Sequence, residues 1–238
     1  DVCSSDLAAL ARELPAEERG QFFQAAAEYF EQVPGCEADV VEMYRALLDL
    51  NPGDDHARLA LESRMVAGNR VRDLVRSLEQ SLSTEASQGS ATTATSTLTR
   101  LVDLHANHLR EPERALPHIE ALLALDPANA IGQDVATRLL VVKGLAARAA
   151  SALAKAHEAL GNYEEYARHL ALELDHTRGP KRKEILHRLG VVKMDALGDL
   201  PSAFEALESA VLLDPANDDA RDRYVTIAGE IGRQLVAA

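Results

Sequence analysis

The sequence predicts an all-α chain: antiparallel helix pairs, about a dozen helices, stacked as an α-solenoid. Three observations lead there. Composition is the first, since Ala and Leu dominate, Trp is absent and aromatics make up only 4% of the 238 residues, with no long β-branched runs, so the chain reads as nearly all helix. The second is internal: shifting the chain by 88 residues lays Arg100–Asn129 on Arg188–Asn217, and Arg100, Leu101, Leu109, Ala115 and Glu120 meet identical residues. Both segments end in the string Leu-Asp-Pro-Ala-Asn, and Gly144 and Gly232 fall into the same register. Self-similarity at a fixed period marks repeat architectures. The third is spacing, because apolar residues within each unit recur three and four apart, as one buried helix face requires.

Taken from the N-terminus, Asp1–Leu7 (DVCSSDL) differs from everything after it and resembles translated read-through of a sequencing-library adapter. It is expected to be an artefact, with the true start upstream. The competing reading is a short cap, in which Ser4, Ser5 or Asp6 offers an oxygen to a helix at Leu7–Leu14. Residues 8–82 are read as helix pairs. Phe22, Phe23, Tyr29 and Phe30 are expected to pack against Val40, Met43 and Tyr44, with an exposed binding patch as the other reading. VVEMYRALLDLNPGD, from Val40, repeats the second half of the later units and is followed by a glycine at Gly68.

The low-complexity stretch Ser83–Thr97 cannot by its composition supply a buried face and is expected to be an exposed connection between two helices, with a modification or docking segment as the alternative. Residues 98–238 then form the second block of helix pairs. Helices are expected over Asn129–Val142 and Leu145–Leu160, and HEALGNYEEYARHLALELD, from His157 to Asp175, makes a further unit turning at Gly161. In the last full unit, Ile185, Leu186, Leu189, Val192 and Leu197 build one stripe. Gly198 suits the left-handed conformation that closes a helix, and Pro201 suits the first turn of the next. Ala203, Phe204, Leu207, Ala210 and Val211 face inward there, and Asp214-Pro215 ends it. The final GRQLVAA begins a helix that looks incomplete.

This pattern resembles the tetratricopeptide-repeat family, in particular its long bacterial arrays. The likeness rests on Leu189 and Gly190 in a first helix, Gly198 at the turn, Ala203 and Leu207 in the second helix, and Pro215 after it, repeated in register over residues 16–238. It implies a right-handed solenoid. Departures are visible: the first helices carry one residue more before the turn than the family's roughly 34-residue unit, Tyr166 stands at an alanine position, and Val102 and Leu122 are bulky where the family is small. Irregular or wider packing is expected there.

Chemistry is sparse. No phosphate-loop, dinucleotide, nucleophile-elbow, H-E-x-x-H or C-x-x-C pattern occurs, and the chain is read as a non-enzyme without a cofactor. His105 and His108, with Asp103 beside them and His118 on the next helix, could in principle take zinc, but no further ligand is identifiable and no metal is assigned. His157, His169 and His176 are read as packing or solvent-facing. Acidic pairs such as Glu164-Glu165 and Asp218-Asp219 complement helix N-termini. With Cys3 set aside, Cys36 is the only thiol, which removes the disulfide-scaffold class. A net charge of −13 disfavours nucleic acid and anionic lipid as partners, and no apolar stretch is long enough to span a bilayer.

The resemblance implies a groove lined by the first helix of each pair that binds a peptide or helix of a partner protein. Transferring its groove positions gives Thr99, Asp103 and Asn107, then Ser151, Lys155 and Glu158, then Glu184, His187 and Val191. These lack the lysine and asparagine set by which some relatives clamp a terminal carboxylate. The acidic chain points to a partner with a basic or mixed surface. The alternative function is a regulatory arm of a larger enzyme, a kinase or peptidase, whose catalytic domain lies outside this sequence.

Overall fold

In a computed structural model, residues 7, 10–11, 13–51, 54–68, 70–88 and 91–232 are described, and every regular element among them is helical. The chain divides into two compact units, 1–80 and 81–238. The adapter and capping readings of Asp1–Leu7 fall, but for Leu7, outside the described residues, as does GRQLVAA beyond Gly232.

The first unit holds α1 (Ala16–Glu31), α2 (Glu37–Leu50), α3 (Asp55–Ala67) and the start of α4 (Val71–Gln88), which runs across the division. Asp54 caps α3 by accepting from the Ala57 amide at 2.9 Å, satisfying one of the donors a helix start leaves open. Phe23 and Phe30 of α1 are buried in one core with Val40, Met43 and Tyr44 of α2, as expected. Tyr29, one residue from Phe30, is 65% exposed, so the aromatic cluster divides between core and surface. The Tyr44 hydroxyl donates to Glu31 at 3.1 Å, and Arg64 pairs with the same carboxylate at 3.0 Å. Burial first, and the Glu31 charge second, push the Tyr44 phenol up to about 12.

The second unit is a helical-repeat solenoid built from α5 (Ala91–Asp103), α6 (Pro112–Leu125), α7 (Ala130–Leu139), α8 (Ala146–Ala159), α9 (Tyr163–His176), α10 (Lys181–Asp195), α11 (Leu200–Leu213) and α12 (Asp218–Glu230). The pairs α5/α6, α8/α9 and α10/α11 are the antiparallel hairpins anticipated from the repeat. The region between Asp126 and Tyr163 departs from that rhythm: α7 stops at Leu139, and α8 packs on α6, α7 and α9 together. Asn129, Asp199 and Asn217 each accept from an amide three residues on, capping α7, α11 and α12.

Ser83–Thr97, expected from its composition to be an exposed connection without a buried face, is helical over its described residues and buries Ala94 and Thr97, while Ser83, Ala91, Thr92, Thr93 and Ser96 are exposed. Helix α4 continues to Gln88 and α5 starts at Ala91; residues 89–90 lie outside the described set. Ala94, Thr97, Leu98 and Leu101 fall on one face of α5 and are buried. Thr95 and Thr99 return their hydroxyls to the carbonyls of Ala91 and Thr95 at 2.9 and 2.8 Å. Polar side chains that bond their own helix in this way need no water, and so the threonines do not interrupt it.

The extra residue noted in the first helices is absorbed as a widened closing turn. After α5 the chain makes one π-helical turn, Leu104–His108. There the Leu109 amide donates to the Leu104 carbonyl, and the Glu111 amide to the His105 carbonyl. The equivalent bonds recur after α10, from Leu197 to Val192 and from Asp199 to Lys193. The residue between them takes positive φ in both places, +65° at Gly198 and +55° at Arg110.

Candidate functional site

A hollow of about 540 Å³ opens along α10, between α12 on one side and the α8/α9 turn on the other. Along α10, His187 and Arg188, Val191 and Val192, and Asp195 and Ala196 line it, a run at the three-and-four spacing that keeps side chains on one helix face. Glu158 reaches in from the end of α8, Tyr163 and Tyr166 from the start of α9, and Asp219 and Arg223 from α12.

Its polar groups are tied into two networks. Arg188 Nε donates to the Tyr166 hydroxyl at 3.0 Å and Nη2 to Glu158 Oε2 at 3.2 Å. Its guanidinium also stands 5.4 Å from the Tyr166 ring centroid, within cation–π range. Burial, then the hydrogen bond with Glu158, push the Tyr166 phenol up to about 12. On the opposite side, Arg223 Nη1 donates to Asp195 Oδ2 at 2.7 Å while its Nε bonds both Asp219 oxygens at 3.1 Å. His187 Nε2 lies 2.6 Å from Asp219 Oδ2. Partial burial alone would raise the Asp219 carboxyl, but His187 and Arg223 together hold it below the usual carboxylate range.

Of the nine groove positions taken from the sequence, Glu158, His187 and Val191 line this hollow. Ser151 and Lys155 of α8 and Glu184 of α10 do not. Thr99, Asp103 and Asn107 form a separate strip with α7. There Asn107 donates to Asp103 at 2.7 Å and accepts from Arg138 at 3.0 Å, and Asn129 donates to Thr99 at 3.3 Å. The sequence reading missed Tyr163, Tyr166, Arg188, Asp195, Asp219 and Arg223. Arg188 carried a signal as the head of the repeated string, Tyr166 as a departure at an alanine position, and Asp219 as one of an acidic pair read as complementing a helix start.

Histidines come together in two places. His105, 1% exposed, stacks on His118 with ring centroids 5.5 Å apart, whereas His108 turns to Asp103 at 3.8 Å. On the α8/α9 hairpin, His157 and His169 stack at 5.1 Å with Glu165 beside them. No local pattern of residues signals that these two would meet.

The chain matches no protein-family model and none of the curated proteins. Among solved structures it is similar to MamA AMB-1, at 18% identity and a TM-score of 0.51, over 70% of this chain and 87% of that one. It also aligns with the TPR2AB domain of yeast Sti1 in complex with pHSP90 (12% identity, TM-score 0.39, 93% and 87% covered). A third alignment is with TTC0263, a thermophilic TPR protein of Thermus thermophilus (17%, 0.33, 86% and 98%). The likeness to MamA AMB-1 is one of fold. No helix among the described residues is long and apolar enough to cross a membrane.

Proposed function

We propose that this chain, which has the tetratricopeptide-repeat fold, is a non-enzymatic scaffold that binds a peptide or helix of a partner protein in the hollow of its second unit. The observation that carries the reading is the composition of that hollow. Its walls come from α10 and α12, from the start of α9 and from Glu158 at the end of α8, and it offers an apolar floor of Val191, Val192 and Ala196 between two rows of charge. An extended or helical segment meets such a surface with alternating apolar and polar side chains.

Three carboxylates and two guanidiniums line the hollow. With a chain charge of −13, the field favours a segment that brings cations. Lysines or arginines of the partner would compete for Glu158, Asp195 and Asp219. Because the carboxylates are already ion-paired, and Asp219 is held ionised, the arrangement supports recognition rather than general-acid work.

Purified chain applied to an array of basic, neutral and acidic peptides tests this reading. Retention on Lys/Arg-bearing, partly apolar peptides is expected, and Glu158→Lys with Asp195→Lys should reduce it at least tenfold. Glu164→Lys, on exposed surface outside the hollow, serves as control. Equal binding by the reversed variant, or preference for acidic peptides, removes the proposal.

A further inference from the structure

We propose that His157, Glu165 and His169 form a binding site for a divalent transition-metal cation of the zinc class, carried on the α8/α9 hairpin independently of the peptide-binding hollow. Each residue offers one ligand atom, and the three atoms lie within 4.8 Å of one another. Glu165 and His169 stand four apart on α9 and therefore on one face, and His157 faces them from the last turn of α8.

The hydrogen bonds prepare the donors. His169 Nδ1 lies 2.8 Å from the Glu165 backbone carbonyl. A carbonyl has no hydrogen to give, so Nδ1 carries the proton and Nε2 keeps its lone pair. Fixing the ring through its other nitrogen is how metal-binding histidines are usually oriented. His157 Nδ1 is buried and has no hydrogen-bond partner, and a buried polar atom in that state gains from a cation that takes its lone pair. Both rings are held below the ordinary imidazole pKa by burial, in the direction of the neutral form that ligation needs.

Two imidazoles and one carboxylate suit zinc, nickel or cobalt, whereas magnesium and calcium prefer all-oxygen shells. An approach path exists, because the Glu165 side chain is 35% exposed. Arg168 now holds that carboxylate, but its own side chain is 64% exposed and such surface pairs are weak. The rings stack at 5.1 Å, 12° from parallel. With His169 fixed by its bond to Glu165, it is His157, whose Nδ1 has no hydrogen-bond partner, that has to turn about its side-chain torsions for its lone pair to meet the ion, with water completing the shell.

The test is titration of the chelator-treated chain with Co²⁺, read by its visible ligand-field absorption and displaced by Zn²⁺. The wild type is expected to take up one equivalent at this site. His157→Gln and Glu165→Gln should each weaken it by on the order of 10- to 100-fold, and His118→Ala should leave it unchanged. Helix content of each variant is checked by circular dichroism, and Glu165→Gln, at a partly exposed position, keeps the test open should His157→Gln unfold. Absence of the bands in the wild type, uptake unaffected by either α8/α9 variant, or equal loss in His118→Ala overturns the assignment.

Discussion

The segments 100–129 and 188–217 are related by the 88-residue shift, and they build the same hairpin with opposite distributions of bulk. In the later one Gly190 lets α11 come close: a Cβ there would stand 2.5 Å from Leu207 Cγ. The earlier one has Val102 at the matching position, facing a core that contains Ile119, both fully buried. Further along, the bulk is exchanged again. Leu122 replaces what is Ala210 later, and room for it and its neighbour is made by Gly132, whose Cβ would lie 3.0 Å from Leu123 Cδ2 and 3.1 Å from Leu122 Cδ2; the residue 88 further on is Ala220. Neither segment is a degraded form of the other. A helix interface conserves total volume, and the large and small partners can trade sides.

Three sets of substitutions break or sharpen this comparison, in order of expected effect. Leu122→Ala carries the later segment's residue into the earlier one and empties a fully buried site, which should cost about 3 kcal/mol in urea denaturation. Adding Gly132→Ala, and so completing the exchange, should return about 1 kcal/mol through helix propensity and refilled space. No recovery would mean that Leu123, the other side chain at a Gly132 Cβ, and not Leu122 sets the space there. In the reverse direction, Gly190→Val should cost about 2 kcal/mol by overpacking against Leu207. Combined with Leu207→Ala, it should be less destabilising than the sum of the two single changes by about 1–2 kcal/mol in a double-mutant cycle; strict additivity would place the clash elsewhere. The smallest effect concerns the turn. Arg110 and Gly198 occupy the same left-handed position, and a Cβ costs about 1 kcal/mol there. Gly198→Ala should therefore lower stability by about 1 kcal/mol, while Arg110→Gly should raise it by about 0.5 kcal/mol, the gain being reduced by the freedom glycine has when unfolded. If Arg110→Gly destabilises, the arginine side chain has a role beyond its backbone.

Helices and turns were legible in the sequence because they are punctuated locally. Gly198, Pro215 and the Asp-Pro-Ala-Asn strings act on the residues immediately around them. Ser83–Thr97 was misread because its threonines look polar, although on a helix their hydroxyls fold back onto the preceding turn and leave Ala94 and Leu98 to pack. The hollow was legible only in part. Val191, His187 and Glu158 came from the groove positions that the family resemblance implies, which transfer one helix at a time. Arg223 finding Asp195, or His157 finding His169, depends on how far neighbouring helices slide and turn, and no short-range signal records that. Tyr166 stood out as an oddity at an alanine position; only the packing of α10 against α9 turned it into the surface that holds Arg188.

Tyr163 and Tyr166 also give the hollow an optical signature. The chain contains five tyrosines and no tryptophan, so its ultraviolet emission comes from phenols alone, two of which line one cavity. A guest carrying an indole could be excited selectively against a dark host, and one without it would still alter the tyrosine signal. If the proposed binding takes place there, occupancy of the hollow can be read without a fluorescent label.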